Sequence, residues 1–593
     1  MQLFAVALLR SNGAEPDLRA ALTAAARPFP QLDPATLTVE SSESGRVVCA
    51  RMSHAPAVAA PRRYAARRAG ALVLFDGFPI ERYGRFAAHD AAALAERWDD
   101  LPGLLEGVFS AVRVDLHSDR VECLIDTMSL APVFLHRSPQ GLLLANSVEA
   151  LRQLAGLRAV DPLGLGSMLA LGWPAGGRTL LADVEFLAGG GVHRLHPGGA
   201  TFIAHATPAT MIHAVSGGTP LPVDQLLETT RAAAASGAPL ASGLTAGRDT
   251  RVLLALSRAA QADVAFYTSG SDEDTDVRIA RQIAERFGLR HRVLDPSPPA
   301  DLDEWAAATT TFVGRTDGLS PIDAISDHLD HDGVPDRLGL ELWGAGGEIG
   351  RTVMWVVASL AAVTPGVRRS YEVQRRVLQR AAVDPAGLIA PEVMAAVRAW
   401  LDGFVASRRE EGWTADAILT SAYAFGRVRH WAARGVRRAA ATTDLYSPFA
   451  CRAYAEHCFG LPAGARYVEQ AHRRLIDAYA PEVDAVPYEL PWRRQAPVLA
   501  LPMLLRDGGR RLAARARRTP GGTPPPLGPR WFEAGLALHR DVALSSPSSP
   551  LWDVVDRRRY EALLAATPQE RAPYAVGLDR VLTALWYLDG PGR

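Results

Sequence analysis

The stretch of sequence that decides the fold is a short apolar segment that enters a turn of small residues and continues into an apolar helix. It reads Ala238-Pro239-Leu240-Ala241-Ser242-Gly243-Leu244-Thr245-Ala246-Gly247-Arg248-Asp249-Thr250-Arg251-Val252-Leu253-Leu254-Ala255-Leu256. This order is typical of a loop that wraps phosphate at a helix N-terminus, where free backbone N–H groups and the helix dipole favour an anion. Asp249 is the one carboxylate in the turn, and a carboxylate beside phosphates usually serves a magnesium ion. The alternative is a plain strand–turn–helix connection, since small residues are common near helix starts.

The composition indicates a folded protein of more than one domain. The chain has 593 residues, of which 48% are hydrophobic and 22% are charged. Its 64 arginines and lysines balance 64 acidic residues, so the charge gives no argument for a nucleic-acid or membrane partner. All of the 64 are arginine, so no chemical step can rely on a lysine side chain.

The cysteines and the apolar runs point to a reducing cytoplasm. Cys49, Cys123, Cys451 and Cys458 form no C-x-x-C pair, which favours neither a zinc site nor a disulfide framework. The first residues lack the basic start and long apolar core of a signal peptide. The apolar run 354–363 is too short to span a bilayer.

The first 205 residues predict an α+β region with much antiparallel sheet. Asp76-Gly77 is expected to form a turn after the apolar run 71–75. Short apolar runs on either side of polar turns predict two hairpins, 108–114 with 121–125 and 133–135 with 142–145.

A loose stretch, 216–220, then leads into a different pattern. From about residue 221, short strands alternate with amphipathic helices, as in 264–268, 276–287 and 292–294, which predicts a parallel sheet. Ligands of such sheets bind beyond the carboxyl ends of the strands, where 245–250 would lie. Further along we expect a mainly helical region, a solvated Arg-rich helix face and a mobile Pro/Gly-rich loop, at 353–480, 506–518 and 519–529 respectively.

Several segments together resemble the asparagine synthetase superfamily over nearly the full chain. In the first region, four segments are similar to family motifs in the same order: 105–110 to L-x-G-x-F-A, 126–134 to R-D-x-x-G-x-x-P-L-Y, 144–151 to F-A-S-E-x-x-A-L, and 178–181 with 189–191 to R-T-L…P-P-G. In the second region, 245–250 takes the place of the loop S-G-G-x-D-S. The other similar segments there are Tyr267-Thr268, Asp276 with Ala280, 344–348 (G-x-G-x-D-E) and 446–449 (R-x-P-F).

The resemblance implies two domains. Residues 1–205 would form a degenerate glutaminase-like sandwich of the N-terminal-nucleophile type. Residues 221–593 would form an ATP-pyrophosphatase domain with a parallel sheet and many helices.

Three departures from the family's motifs narrow the range of activities expected for this chain. The family's glutaminase uses an N-terminal cysteine, but position 2 here is Gln2, so glutamine hydrolysis is not expected. Ala345 stands where related ligases often carry the group that helps to deprotonate the amine. The family's catalytic lysine is absent, and Arg493 or Arg494 offers a charge nearby but cannot exchange a proton.

The resemblance implies an ATP and Mg²⁺ site made by two small-residue loops. Asp249 and Glu348 would hold the metal, and both would act in catalysis together with Arg248. The residues implied to bind the nucleotide are Thr245, Ala246, Gly247, Thr250, Thr268, Gly344, Gly346 and Gly347. This set suits adenylation, in which a substrate carboxylate attacks the α-phosphate and pyrophosphate leaves.

Within the superfamily, the two loops look most like those of the lasso-peptide cyclases, which lack the glutaminase cysteine. The resemblance implies that a side-chain carboxylate of a precursor peptide is adenylated and that the peptide's own α-amine closes a macrolactam. A leader peptidase and a leader-recognition protein are possible partners. Two alternatives stay open: a β-lactam-synthetase-like or other small-molecule amide ligase, and a catalytically silent scaffold in a biosynthetic complex.

An α-amine nucleophile is consistent with alanine at position 345, which offers no basic group. An α-amine has a pKa near 8, so about a tenth of it is neutral at pH 7 and it needs little basic help. Tyr423 and His430 are the other candidates for a base, although packing is the commoner role for such residues.

Overall fold

The computed structural model describes most of the chain. The described residues are 1–11, 16–214, 220–294, 298–299, 301–325, 338–351, 370–462, 465–466, 468–488 and 529–590. Several predicted features lie wholly or mainly outside these ranges, namely the stretch 216–220, the apolar run 354–363, Arg493 and Arg494, the Arg-rich run 506–518 and the loop 519–529.

Two six-stranded antiparallel sheets form the first part of the molecule. Their strands are β1 (Gln2–Leu9), β2 (Thr38–Ser41), β3 (Val47–Ser53), β4 (Ala65–Arg68), β5 (Ala71–Glu81), β6 (Leu105–Asp115), β7 (Arg120–Ile125), β8 (Phe134–Ser138), β9 (Gly141–Ala145), β10 (Val184–Phe186), β11 (Gly191–His196) and β12 (Gly199–Ala204). The first sheet has the order β10-β8-β9-β1-β3-β2, and the second has the order β12-β11-β7-β6-β5-β4.

The helices of the described residues surround these sheets and a third, parallel one. They are α1 (Leu18–Ala26), α2 (Pro56–Ala59), α3 (Ala91–Glu96), α4 (Leu101–Leu104), α5 (Val148–Ala155), α6 (Pro162–Leu171), α7 (Pro208–Ala214), α8 (Val223–Ala234), α9 (Arg248–Ala259), α10 (Thr275–Phe287), α11 (Leu302–Arg315), α12 (Tyr371–Ala381), α13 (Pro391–Glu410), α14 (Ala415–Ser421), α15 (Arg429–Ala439), α16 (Arg452–Gly460), α17 (Gln470–Tyr479), α18 (Pro529–Ser545), α19 (Arg557–Ala565), α20 (Pro568–Arg571) and α21 (Ala575–Asp589). A π-helical segment, Ala422–Val428, joins α14 to α15.

The two antiparallel sheets stack face to face because successive side chains of a strand point to opposite faces. Phe4, Val6 and Leu8 of β1 share one buried cluster with Leu72 and Leu74 of β5. The intervening side chains of β1 pack on the opposite face against α1 and α5, and the outer face of the second sheet packs against α3. The fold is therefore a mixed α and β architecture in which a two-sheet sandwich is covered by helices on both outer faces.

Both hairpins predicted in this region are confirmed, but the predicted turn at Asp76-Gly77 is wrong. The two residues continue β5, and Gly77 pairs with Phe109 of β6. A Cβ on Gly77 would lie 2.3 Å from the carbonyl oxygen of Val108, so glycine is needed for close strand approach. Asp76 accepts a hydrogen bond from the backbone N–H of Gln2 at 2.8 Å. The Asp-Gly pair thus serves contacts between strands.

The third sheet is parallel throughout, as the alternation of strands and helices predicts. Its order is β15-β14-β13-β16-β17, with the strands β13 (Leu240–Gly243), β14 (Val264–Ser269), β15 (His291–Leu294), β16 (Gly339–Leu342) and β17 (Thr443–Tyr446). From β13 the chain moves outward through β14 and β15, then returns to the other side of β13 for β16 and β17. This is the doubly wound order, with its reversal between β13 and β16.

The sandwich and the later helices share buried contacts. Leu165 of α6 and Val397 of α13 belong to one hydrophobic cluster, and these two helices pack on each other. The buried carboxylate of Asp444 in β17 forms an ion pair with Arg62 at 2.5 Å. His54, which follows β3 of the sandwich, also contacts the later part of the chain: its Nε2 lies 3.0 Å from the carbonyl oxygen of Ala441. The domain limits at 205 and 221 stay a prediction.

Helices dominate the described part of 353–480, as predicted from the sequence. Within the described ranges, none of the helices combines the length and apolar character needed to cross a bilayer.

Candidate functional site

The reversal point of the parallel sheet brings two loops together. β13 ends at Gly243 and β16 ends at Leu342, and these neighbouring strands run parallel with Ser242 opposite Leu342. The loops that follow them therefore leave the same edge of the sheet on the two sides of a crevice. In doubly wound sheets, this crevice at the carboxyl ends is the usual ligand site.

A cavity of about 360 Å³ lies at this edge, within the size range of small-molecule sites. Six of the residues predicted to form the site line it: Thr245, Asp249, Thr250, Thr268, Gly344 and Glu348. The other predicted residues, Ala246, Gly247, Arg248, Gly346 and Gly347, lie close by in the chain but outside its lining. The structure thus brings both predicted metal ligands to one cavity.

The first loop, 244–250, is held by its own hydrogen bonds. Thr245 Oγ1 accepts from the N–H of Gly247 at 2.9 Å and lies 3.1 Å from Thr250 Oγ1. The N–H of Ala246 donates to Asp276 Oδ1 at 2.8 Å. The N–H of Thr245 also donates to Thr250 Oγ1 at 3.2 Å, so three of the backbone donors expected to cradle phosphate are already used inside the protein. The backbone donors that remain for a ligand in the cavity are those at the N-terminus of α9. The first turn of this helix has no side-chain cap among the described residues.

The second loop, 344–348, packs directly against Asp249. A Cβ on Gly347 would lie 2.3 Å from Asp249 Oδ1, and one on Gly344 would lie 3.1 Å from Asp249 Cβ. Gly346 donates its N–H to Glu348 Oε2 at 3.1 Å. Small residues are required here because the carboxylate of the first loop occupies the space beside the second.

Both oxygens of Asp249 have partners. Arg351, at the end of the second loop, donates to Oδ2, and Nε2 of His472 in α17 lies 2.7 Å from Oδ1. Burial and the nearby guanidinium of Arg351 lower the pKa of His472 to about 3, so its ring is neutral at pH 7. Asp249 thus has a fixed orientation.

Glu348 and Glu341 are the other two carboxylates of the cavity. Burial raises the pKa of both groups above the usual range. Glu341 accepts from the hydroxyl of Tyr267 at 2.6 Å, whereas no described arginine or histidine forms an ion pair with Glu348. A half-buried carboxylate without a paired cation fits a divalent metal ion, which would offset the cost of its charge.

Among the described residues, no cluster of three or more His, Cys, Asp and Glu side chains is arranged to hold a metal ion by itself. Mg²⁺ in nucleotide sites is usually held by one or two carboxylates together with phosphates and water. Asp249 and Glu348 are the two that would hold it.

The remaining wall of the cavity is aromatic and basic. Trp343 and Trp431 stack with ring centres 5.7 Å apart, and both line the cavity. Arg434, which donates to the carbonyl oxygen of Leu319 at 3.0 Å, and Arg438 lie on the same helix, α15. A flat apolar face and two guanidinium groups thus face the three carboxylates.

Arg248 and the candidate bases lie elsewhere. Arg248 forms an ion pair with Glu469 at 3.0 Å. His430 is buried with Nε2 3.1 Å from the carbonyl oxygen of Gly176, and burial lowers its pKa to about 3. Burial and the charge of Glu348 raise the pKa of Tyr423 to about 12. Ala345 is buried in the lining of the cavity.

His472, Glu341 and Trp343 contact or line the site but were not predicted to belong to it. His472 lies 223 residues beyond Asp249, so no local spacing could link them. Glu341 sits inside β16, and an acidic residue in an otherwise apolar strand was a usable signal. Arg351 lies just after the second loop, but its partner Asp249 is 102 residues away in sequence.

The start of the chain and all four cysteines are buried. Gln2 is fully enclosed in β1, and the four thiols are free and inaccessible. Burial raises the pKa of Cys49 to about 12, so this thiol is not a nucleophile at neutral pH.

Comparisons with known proteins give little further guidance. No family model and no curated protein matches the chain. Among solved structures, it is similar to the glutamine phosphoribosylpyrophosphate amidotransferase of B. subtilis complexed with ADP and GMP, with a TM-score of 0.24 and 9% identity over 49% of this chain and 65% of that one. It is equally similar to a structure described as the allosteric regulatory enzyme of purine biosynthesis, with a TM-score of 0.24 and 9% identity over 51% and 82% of the two chains. Similarity this low carries no argument about activity.

Proposed function

We propose that this protein forms amide bonds at the expense of ATP and closes the macrolactam ring of a lasso peptide. The observation that carries the proposal is the meeting of Asp249 and Glu348 in one cavity at the reversal point of the parallel sheet. The choice of a lasso peptide rests on the resemblance of the two loops to those of the cyclases.

Asp249 and Glu348 would hold Mg²⁺ through their carboxylate oxygens. When bound, the ion supplies positive charge that neutralises the charge of the phosphates. The uncapped first turn of α9 and the hydroxyls of Thr245 and Thr250 would contact the phosphate oxygens. The stacked pair Trp343 and Trp431 offers a flat face for the adenine ring.

In the first step, a side-chain carboxylate of the peptide attacks the α-phosphorus of ATP. The bond between the α-phosphorus and its bridging oxygen breaks, pyrophosphate leaves, and an acyl-adenylate forms. Arg434 and Arg438 line the cavity and would favour the anionic reactants. The chain contributes positioning and charge, which dominate the cost of this step.

In the second step, the peptide's α-amine attacks the acyl carbon, the amide forms, and AMP leaves with the electron pair of the broken C–O bond. As the amide forms, the nitrogen gives up one proton to solvent water. Ala345 has no titratable group, Tyr423 stays protonated at neutral pH, and His430 is too weak a base. An amine that is partly neutral at pH 7 suits such a site.

A scaffold without activity is the second candidate. Its support is the engagement of both oxygens of Asp249 by Arg351 and His472, which a metal ion would have to share. The two candidates differ in whether the chain releases pyrophosphate.

The test is incubation of the protein with a candidate precursor peptide, ATP and Mg²⁺, with and without a leader peptidase and a leader-recognition protein. We expect release of AMP and pyrophosphate, loss of one water from the peptide, and protease resistance of a threaded product. Glu348→Gln should lower turnover at least 100-fold, whereas the exposed control Glu372→Gln should not change it. Water loss without AMP release would overturn the adenylation mechanism, and no turnover under any condition would favour the scaffold.

A further inference from the structure

A second cavity, of about 490 Å³, lies between the end of the sandwich region and the later helices. Its wall is mainly apolar and includes five aromatic side chains, those of Trp173, Trp400, Phe404, Trp413 and Phe425. The proposed reaction uses none of these side chains. A cavity of this size with an aromatic wall is typical of a small-molecule site.

Two arginines line this cavity: Arg408, which forms an ion pair with Glu411 at 2.5 Å, and the more deeply buried Arg429. Arg429 lines the cavity and is only 8% exposed. Its Nη2 donates to the carbonyl oxygens of Phe186 and Leu187 at 2.7 and 2.5 Å, and its guanidinium lies over the Phe186 ring at 3.9 Å. Its Nε has no hydrogen-bond partner.

No described carboxylate forms an ion pair with Arg429. Glu185 and Asp126 act on it only from a distance, and burial lowers its pKa to about 10. The carboxylate of Asp126 is itself used by backbone donors, including the N–H of Leu130 and Ala131 at 2.9 and 2.8 Å. A buried guanidinium without a close counter-ion is costly, and an anion at its side would offset that cost.

We propose that this cavity binds an apolar molecule that carries one carboxylate, with Arg429 as the counter-ion and the tryptophans and phenylalanines around the apolar body. Such a group belongs either to a free aryl- or alkyl-carboxylic acid or to the C-terminus of an apolar peptide. The chemistry at the cavity is the same in the two cases. This inference goes beyond the proposed ligase activity and does not depend on it.

The second cavity neighbours the first, and one continuous helical stretch, 415–439, contributes residues to both. Ser421, Ala422, Phe425 and Gly426 line the second cavity, and Trp431, Gly435 and Arg438 line the first. The π-helical segment Ala422–Val428 lies at the second cavity, and such segments are frequent at functional sites because they widen a helix.

The test compares probes that differ only in charge, by calorimetric titration of the full chain without ATP. The first pair is 4-phenylbutyrate and 4-phenylbutanol, and the second is N-acetyl-leucyl-phenylalanine and its C-terminal amide. We expect the acid of at least one pair to bind at least tenfold more tightly than its neutral partner. The pair that shows the difference identifies the source of the carboxylate. Equal affinity within both pairs, or no binding of either acid, overturns the proposal.

Two variants locate the binding. Arg429→Gln should weaken the acid at least tenfold and leave the neutral probe within threefold. The matched control Arg409→Gln removes one exposed charge from the neighbouring helix α13 and should leave the affinities of both probes unchanged.

Because Arg429 also holds two carbonyl groups, Gly426→Leu provides an independent check of where the probes bind. A Cβ at Gly426 meets only Trp173, at 3.6 Å, so leucine there fills the cavity and should abolish binding of all probes. Unchanged acid binding in Gly426→Leu would place the ligand elsewhere and overturn the proposal.

Discussion

The guanidinium of Arg351 donates to Oδ2 of Asp249, and this contact ties the loop after β16 to the first turn of the helix after β13. The two side chains lie 102 residues apart in sequence. Together with His472 on Oδ1, Arg351 holds the carboxylate in one orientation. A preorganised carboxylate costs no reorganisation when a metal ion arrives, but the ion must share it with a cation.

We therefore expect Arg351→Gln to strengthen the binding of a divalent ion in the absence of nucleotide. Removal of a positive charge in contact with Asp249 favours a second cation at the same carboxylate. Titration with Mn²⁺, followed by electron paramagnetic resonance, should give a dissociation constant several-fold lower than that of the unmodified protein. The control is Arg258→Gln, since Arg258 pairs with Glu482 at the surface. Weaker Mn²⁺ binding in Arg351→Gln would show that Asp249 is not a ligand.

Substitution of Gly347 should damage the site more than the fold. Its Cβ would lie 2.3 Å from Asp249 Oδ1, so Gly347→Ala must displace the carboxylate. We expect at least a tenfold loss of pyrophosphate release with an unchanged circular dichroism spectrum. Gly403→Ala in α13 is the matched control, because nothing lies within 4 Å of its Cβ. That helix position should gain up to about 1 kcal/mol of stability, and full activity of Gly347→Ala would contradict the contact.

The buried ion pair between Arg62 and Asp444 should be essential for stability. Asp444→Ala leaves a fully buried guanidinium without its carboxylate, which typically costs about 3–5 kcal/mol. Urea unfolding should show a clearly lower midpoint. Asp263→Ala removes a pair of the same length, 2.5 Å, that is exposed on the surface. Its effect should be below about 1 kcal/mol, and similar losses for the two variants would contradict the role of burial.

The stability of the protein should decrease on acidification, beginning at the pKa of an unfolded histidine. Burial holds the pKa of His430 at about 3, so the folded ring stays neutral, whereas the unfolded ring takes up a proton near pH 6.5. The group therefore contributes its full share of stability above about pH 6.5 and loses it progressively as the pH falls toward 3. His54 and His472 act in the same direction, with pKa values of about 4 and 3.

His430→Phe tests this dependence. Between pH 6 and 4.5, the free energy of unfolding should fall less steeply than in the unmodified protein, by up to about 1.4 kcal/mol per pH unit. Urea unfolding at several pH values measures the slope. His196→Phe is the control, since His196 is exposed on β11. An identical slope in His430→Phe would mean that His430 is protonated in the folded chain as well.

Local sequence patterns predicted the strands and helices around the first loop, but they did not predict β16, which positions the second loop. Apolar runs of strand length, alternating with amphipathic helices, give the parallel sheet, and a loop must follow each strand at its carboxyl end. Thr245 and Asp249 could therefore be placed at the carboxyl end of a strand without coordinates, whereas the place of Glu348 beside them was implied only by the resemblance of 344–348 to a family motif. Their meeting in one cavity follows from the topology of the sheet.

Contacts between distant residues could not be predicted in this way. Ala246 gives its N–H to Asp276, 30 residues later, so the loop offers fewer donors to phosphate than its small residues suggest. The Asp-Gly pair at 76–77 has the composition of a turn, but its place in β5 is set by the partner strand and by Gln2. Local composition cannot distinguish these cases, because the deciding atom belongs to another part of the chain.

The contact between His54 and Ala441 can form only after translation has reached residue 441. The two residues are 387 positions apart, and Arg62 and Tyr64 likewise meet their partner Asp444 only late in the chain. At about 5–20 residues per second, a ribosome needs roughly 20–80 s to cover that distance. The buried pair of Arg62 and Asp444 can therefore form only after the chain through residue 444 has been synthesised.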